Sequence, residues 1–122
     1  MIYYKKLSDK IIECAIEVHR ILGNGFLEKV YENSLMFEFK LRLVPAMNQV
    51  PISVYFKNII VGEYFADIIV DKKIILELKV VEHILPIHNA QLLHYLKATN
   101  YKVGYVINFG AKERLEFKRW VN

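Results

Sequence analysis

Glu63-Tyr-Phe-Ala-Asp67-Ile-Ile-Val-Asp71-Lys-Lys-Ile-Ile-Leu-Glu77-Leu-Lys79 sets charged residues inside two runs that are otherwise β-branched, aromatic or aliphatic. The runs read as strands joined by the turn Asp71-Lys72-Lys73. If that turn has three residues, Val70 pairs with Ile74, and counting outward brings Asp67 opposite Glu77. Side chains alternate across a sheet, so Glu77 and Lys79 share one face while Leu76, Leu78 and Val80 take the other. On the charged face the neighbours Phe65, Ile69 and Ile75 are apolar, so the acidic pair is not the middle of a solvated stripe.

Two like charges directly opposite on neighbouring strands, with Cβ atoms ~5 Å apart, destabilise a sheet unless something positive lies between them. A divalent cation satisfies that need, and hard oxygen ligands on rigid strands suit Mg²⁺ or Mn²⁺. Lys79 then stands beside the ion, placed to orient a water and to offset charge on a phosphorane-like transition state. The competing reading is a surface Glu77–Lys79 pair of little energetic worth.

Working outward, Val50–Phe56 and Ile59–Val70 form a hairpin about Lys57-Asn58, so Ile74–Val81 is the third strand of an antiparallel meander. Before it, the three-and-four spacing of Ile11, Ile12, Ala15, Ile16, Val18 and Leu22 predicts a helix. Ser8 is its expected cap, Leu7 packs on Ile12, and Gly23 ends it. Cys14 falls mid-helix as an inert core residue. After Gly23-Asn24-Gly25 the helical period resumes through Tyr31, Leu35 and Phe39 to about Leu41. Pro86 opens a helix to about Thr99 with Ile87, Leu92, Tyr95 and Leu96 as its buried stripe. Tyr101–Phe109 reads as a strand and Leu115–Val121 as a final short strand or tail. Helix, helix, three strands, helix, strand is an α/β or α+β order.

A chain of 122 residues, 54% hydrophobic and 25% charged, suits one domain over 1–122 with one core. The net charge of +4 permits a polyanionic partner without requiring one. One cysteine and no zinc-spaced Cys/His cluster fit a reducing compartment. The start Met1-Ile-Tyr-Tyr-Lys-Lys lacks a signal-peptide pattern, and no apolar run approaches the ~18 residues of a membrane span, so the expectation is a soluble, cytoplasmic protein. No Ser/His/Asp triad, P-loop or dinucleotide glycine fingerprint is present.

Asp67 followed after nine residues by Glu77-Leu78-Lys79 resembles the D-x(n)-E-x-K signature of the PD-(D/E)XK nuclease superfamily. Gly25-Phe-Leu-Glu28-Lys-Val-Tyr31 is similar to the motif that names the GxxExxY family within it. Val18-His19-Arg20, Glu77-Leu-Lys79-Val-Val-Glu82, Gln91-Leu-Leu-His-Tyr95-Leu-Lys97 and Gly104-Tyr-Val-Ile-Asn108-Phe-Gly110 extend the likeness over nearly the whole chain. The resemblance implies a restriction-endonuclease-like core of helix, three-stranded meander, helix and strand.

It also implies a metal-dependent nuclease that hydrolyses phosphodiester bonds in nucleic acid. Asp67, Glu77 and Glu28 would hold Mg²⁺ or Mn²⁺, with Asp67, Glu77 and Lys79 catalytic. Gln91, Tyr95 and Tyr31 would support the site or the nucleic acid. Two departures are visible: Phe65 stands where the family often has arginine, and the signature's proline is missing before Asp67. The bland counterparts are Glu28 as an N-terminal helix carboxylate, Tyr31 and Tyr95 as core aromatics, and His88 as a capping or surface residue. The alternative function is a catalytically inactive nuclease-like module that binds nucleic acid or a protein partner. A homodimer spanning two strands, and a partner supplying specificity, are further expectations.

Overall fold

The computed structural model describes residues 2–122. Its order is α1 (Lys5–Leu22), α2 (Glu28–Leu41), β1 (Ala46–Phe56), β2 (Ile59–Val70), β3 (Ile74–Lys79), α3 (Pro86–Thr99), β4 (Val103–Asn108) and β5 (Glu116–Val121). The strands form one sheet in the order β1-β2-β3-β4-β5, antiparallel throughout except for the parallel pair β3–β4. Parallel neighbours need a crossover, and α3 supplies it. This is the mixed α+β architecture, consistent with a restriction-endonuclease-like core, that the element order implied.

Both turns follow their local chemistry. Lys57 and Asn58 take φ of 48° and 68°, and Phe56 pairs with Ile59 across them. Asp71 and Lys72 are likewise left-handed, and Val70 pairs with Ile74 as counted. The final segment is a strand, laid along β4 from Val103↔Val121 to Asn108↔Glu116.

The sheet carries a core on each face. Ile11, Cys14, Ala15 and Val18 of α1 and Tyr31, Leu35 and Phe39 of α2 pack with Ile68, Val70, Leu76, Leu78 and Ile107. On the opposite face Leu92, Tyr95 and Leu96 of α3 pack with Ile52, Ala66, Ile69, Ile75 and Val106. Ile68 and Ala66 lie two apart on β2 yet serve different cores, which marks a distortion of the strand between them.

Three local expectations change. α1 starts before Ser8, whose N–H already bonds Tyr4 O at 2.8 Å inside the helix; its hydroxyl is buried without a partner, so it is no cap. The Lys5–Asp9 pair at 2.8 Å supports the added turn. Ile16 is exposed on α1. Ile87, placed in the buried stripe of α3, is 72% exposed because it overhangs the groove between α3 and the β1–β2 hairpin.

The far end of β3 is fixed by a buried clamp. Asn108 donates to Val81 O and Glu116 Oε1, both at 2.9 Å, and accepts from Val81 N–H and Gly110 N–H at 3.0 and 2.9 Å. Gly110 lies so close that an added Cβ would collide with the main-chain N and O of Val81. Gly110→Ala is therefore expected to destabilise the fold by about 1–3 kcal/mol, the usual range for overpacking. Urea unfolding checks it: the midpoint should fall with unchanged m-value, and an unaltered midpoint would mean the clamp is not tight.

Candidate functional site

Regular pairing of β2 with β3 stops at Ile68↔Leu76, while β3 stays paired with β4 from Ile74 through Lys79, so from Glu77 onward β4 is its one ladder partner. The strands fork at Asp67 and Glu77. At a fork main-chain N–H groups lose their ladder acceptors, and a buried one left unmade costs about 1–3 kcal/mol. Here the acidic side chains take over. Asp67 N–H donates to Glu77 Oε2 at 2.8 Å, and Leu78 N–H donates to Asp67 Oδ2 at 2.8 Å. The two carboxylates thus reach crosswise onto each other's strand, and each keeps an oxygen that these bonds do not use.

Glu77 is buried, 2% exposed, while Asp67 is half-buried. Burial first, and then the charge of Asp67, push the Glu77 carboxyl up to about 8, against the opposing influence of the Asp67 N–H and of Lys79. Asp67 is raised as well, chiefly by burial, with the Leu78 N–H opposing. The cross-strand repulsion counted from the sequence is therefore present.

Lys79 leaves β3 on the same face as Glu77 and donates from Nζ to Gln91 Oε1 at 3.1 Å; Gln91 Nε2 in turn donates to Tyr95 Oη at 3.1 Å. Gln91 and Tyr95, one helical turn apart on α3, form a relay that holds the ammonium beside the carboxylates. Among the described residues no salt bridge engages Lys79. Tyr95 is raised by burial, and it feels the charges of Glu77 and Asp67.

Glu28 begins α2 and is solvent-exposed at the rim. The packing around its carboxyl, and then the charge of Asp67, raise it, while Lys79 opposes. It faces the pair electrostatically but does not close on it: among the described residues no three Asp, Glu, His or Cys side chains gather tightly enough to hold a metal. The expected three-carboxylate cage of Asp67, Glu77 and Glu28 is thus an inner pair with an outlying third. The donor set still fits a hard dication. Mg²⁺ and Mn²⁺ are commonly held by one or two carboxylates, with water and substrate oxygens completing the shell, and a positive charge there would oppose both the burial and the Asp67 charge that raise Glu77.

Tyr31, fully buried, takes a bracing role. Its hydroxyl donates to Gly23 O at 2.5 Å and accepts from Phe26 N–H at 3.2 Å, and its ring stacks on Phe109 at 4.7 Å. It thereby fixes the turn that launches α2 and Glu28. His88 caps α3 by accepting from Leu85 N–H at 3.0 Å. Buried His19 bonds Ala111 O at 2.7 Å. Phe65 is 54% exposed on β2 opposite Pro51.

A second polar cluster was not read from the sequence. Glu32, buried at 4% exposure and one turn beyond Glu28, accepts from Asn48 Nδ2, Gln49 Nε2 and Lys29 Nζ at 2.8–2.9 Å. Burial works to raise this carboxyl, but the bonds from Lys29, Asn48 and Gln49 outweigh it and hold Glu32 below the usual carboxylate range. Gln49 has φ of 50°, and its would-be partner across β2 is Asp67, where the β1–β2 register skips a pair. Glu32 thus fastens the kinked β1 next to the fork. The only sequence signal was the Glu28–Glu32 spacing on α2.

In metal-free protein Glu77 gives stability a clear sign. Its carboxyl is raised in the fold from 4.5 to about 8, so the folded state holds the proton more tightly than the unfolded chain. Stability from this group is full below about pH 4.5 and declines as pH rises to about 8. Glu77→Gln is expected to flatten that decline and to be more stable than wild type at pH 8 with chelator present. Urea unfolding from pH 5 to 8.5 measures it; parallel pH profiles for the two proteins would contradict the raised carboxyl.

The chain is similar over 96% of its length to the crystal structure of SSO0001, with a TM-score of 0.64 and 18% identity, and it spans 60% of that protein. At that identity the likeness speaks for the fold. No curated protein matches the sequence. No helix among the described residues is long and apolar enough to cross a membrane. The family profile described as PD-(D/E)XK nuclease superfamily matches residues 5–120, a span that contains Glu28, Asp67, Glu77, Lys79, Gln91 and Tyr95. The chain belongs to the PD-(D/E)XK nuclease superfamily.

Proposed function

We propose that this protein is a Mg²⁺- or Mn²⁺-dependent nuclease that hydrolyses phosphodiester bonds in nucleic acid, of the GxxExxY type. The reading is carried by one observation: Asp67 and Glu77 cross over at the strand fork with the Lys79 ammonium held beside them. In its favour also stands the logic of Gly25–Tyr31, where the tyrosine braces the turn that carries Glu28.

Asp67 and Glu77 would hold the ion, and Glu28 at the rim would reach it through water. When bound, the ion supplies charge neutralisation and an acidified water. Lys79 positions the attacking water and balances charge that develops on the phosphate. Gln91 positions Lys79 by accepting one of its hydrogens, and Tyr95 orients the Gln91 amide. The Asp67 and Leu78 N–H bonds keep both carboxylates aimed before any ligand arrives, so little reorganisation is needed on binding.

A second reading rests on Phe65, an exposed aromatic ring where the resemblance expects a cation for phosphate. In it the scaffold binds nucleic acid or a protein partner without cleaving.

Lys79→Ala is expected to lower cleavage about 100-fold or more, the scale of losing one preorganised charge-stabilising group, with its melting temperature close to wild type. Chelation should abolish wild-type cleavage, and Mn²⁺ should restore it. The assay is gel-resolved cleavage of single- and double-stranded DNA and RNA. Wild-type protein inert on all four with both metals, yet binding them in chelator, would establish the non-cleaving reading instead.

A further inference from the structure

A cavity of about 700 Å³ lies between α3 and the β1–β2 hairpin. Gln91 and Tyr95 line it, so it opens directly from the candidate site, and Tyr55, Tyr64, Ile87 and Lys97 are among its other lining residues. Tyr55 and Tyr64 are 62% and 51% exposed, although both rings belong to an ordered strand pair. The Tyr64 ring sits 5.7 Å from that of Tyr95 at 47°. Ile87 is 72% exposed over the same groove. Exposed aromatic and apolar surface that borders a polar centre is costly to leave in water and normally marks a binding surface.

We propose that this groove receives the unpaired bases of single-stranded nucleic acid, with a base stacked on Tyr64 as its neighbouring phosphate lies at Asp67 and Glu77. The inference rests on the nuclease reading of that centre and assigns its substrate class. Charge decides between strand forms. A duplex offers its phosphates outward and is held by many cations, whereas among the lining residues Lys97 is the one side chain with a fixed positive charge. Aromatic faces with a sparse cation supply are instead the make-up of a platform for unpaired bases, each of which offers a π-face. The volume is that of a small-ligand pocket, enough for a base or two and too small for a helix of paired strands. Tyr95, buried at 6% exposure, closes the floor, and its hydroxyl is tied to Gln91. A base seated there is thereby referenced to the residue that holds Lys79.

The test is fluorescence anisotropy with a labelled 12-nucleotide single strand of mixed sequence and the same sequence as a duplex, in chelator so that neither metal nor cleavage enters. Wild type is expected to bind the single strand at least fivefold more tightly than the duplex. Tyr64→Ala should weaken single-strand binding about tenfold or more, on the scale of losing one stacked base, while Tyr64→Trp should retain it. Both variants are exposed-site changes whose folding is checked by circular dichroism. Unchanged single-strand affinity in a folded Tyr64→Ala overturns the proposal, as does equal or tighter duplex binding. A wild-type dimer by light scattering that Tyr64→Ala converts to monomer also overturns it, because a second copy then fills the groove. Binding behaviour as expected with no cleavage in Mn²⁺ would sink the nuclease reading alone. Cleavage confined to duplex would sink this inference alone.

Discussion

The parting of β2 from β3 is the constraint on which the rest depends. β3 keeps its parallel ladder with β4 from Ile74 to Lys79 but parts from its antiparallel partner β2 after Leu76, and the freed N–H groups of Asp67 and Leu78 need acceptors. Asp67 and Glu77 provide them from the opposite strand. Acidic residues at these positions are thus part of how the sheet divides, and any chemistry they perform is added to that duty. A carboxylate suits both, since an ionised oxygen accepts a stronger bond from an amide than a neutral group does. The same arrangement carries its own penalty: it brings two acids together in partial burial, which is why Glu77 resists ionisation.

Lys79 is located from two directions. Its main chain is pinned where Phe109 N–H donates to Lys79 O at 2.9 Å, within the ladder that pairs Lys79 with Asn108. The Asn108–Gly110–Glu116 clamp then holds the chain just beyond it against Val81 and Ile84. Its ammonium is held from the other face by Gln91. A lysine loses much rotamer entropy when fixed, and here a rigid strand end and a helix share that cost. The link also explains why residues near the end of the chain, far from Asp67 in sequence, belong to the same constellation.

Much of this was legible because strands and tight turns encode their register locally. The turn at Asp71-Lys72-Lys73 fixed Val70 opposite Ile74, and period-two alternation placed Glu77 and Lys79 together on the α3 face. The counting failed only in detail: the ladder ends one pair earlier, and side-chain bonds replace the expected pair at Asp67 and Glu77. What stayed hidden depends on contacts between distant elements. Glu32 meets Asn48 and Gln49 only once α2 docks beside β1, and no periodicity announces the left-handed Gln49. Ile87 obeys the helical spacing of a core residue, yet the hairpin stands away from α3 there and leaves it in the open. Ser8 has the chemistry of a cap, but Tyr4 at φ of 55° starts the helix sooner.

The charge distribution around the fork gives the residues left unpaired their meaning. Glu28 feels the charges of Asp67 and Glu32, Asp67 that of Glu32, and Glu77 those of Asp67 and Glu28, and Lys29 is already spent on Glu32 at 2.9 Å. Lys79 is left as the near cation in a chain whose overall charge is +4, so the surplus of positive charge lies elsewhere on the molecule. A polyanion drawn by the whole protein would still meet local repulsion at this centre. An ion that adds two positive charges there would offset that repulsion, favour the ionised form of Glu77 and make room for phosphate in one step. On the proposed reading, ion and substrate bind cooperatively, because each removes the electrostatic penalty of the other.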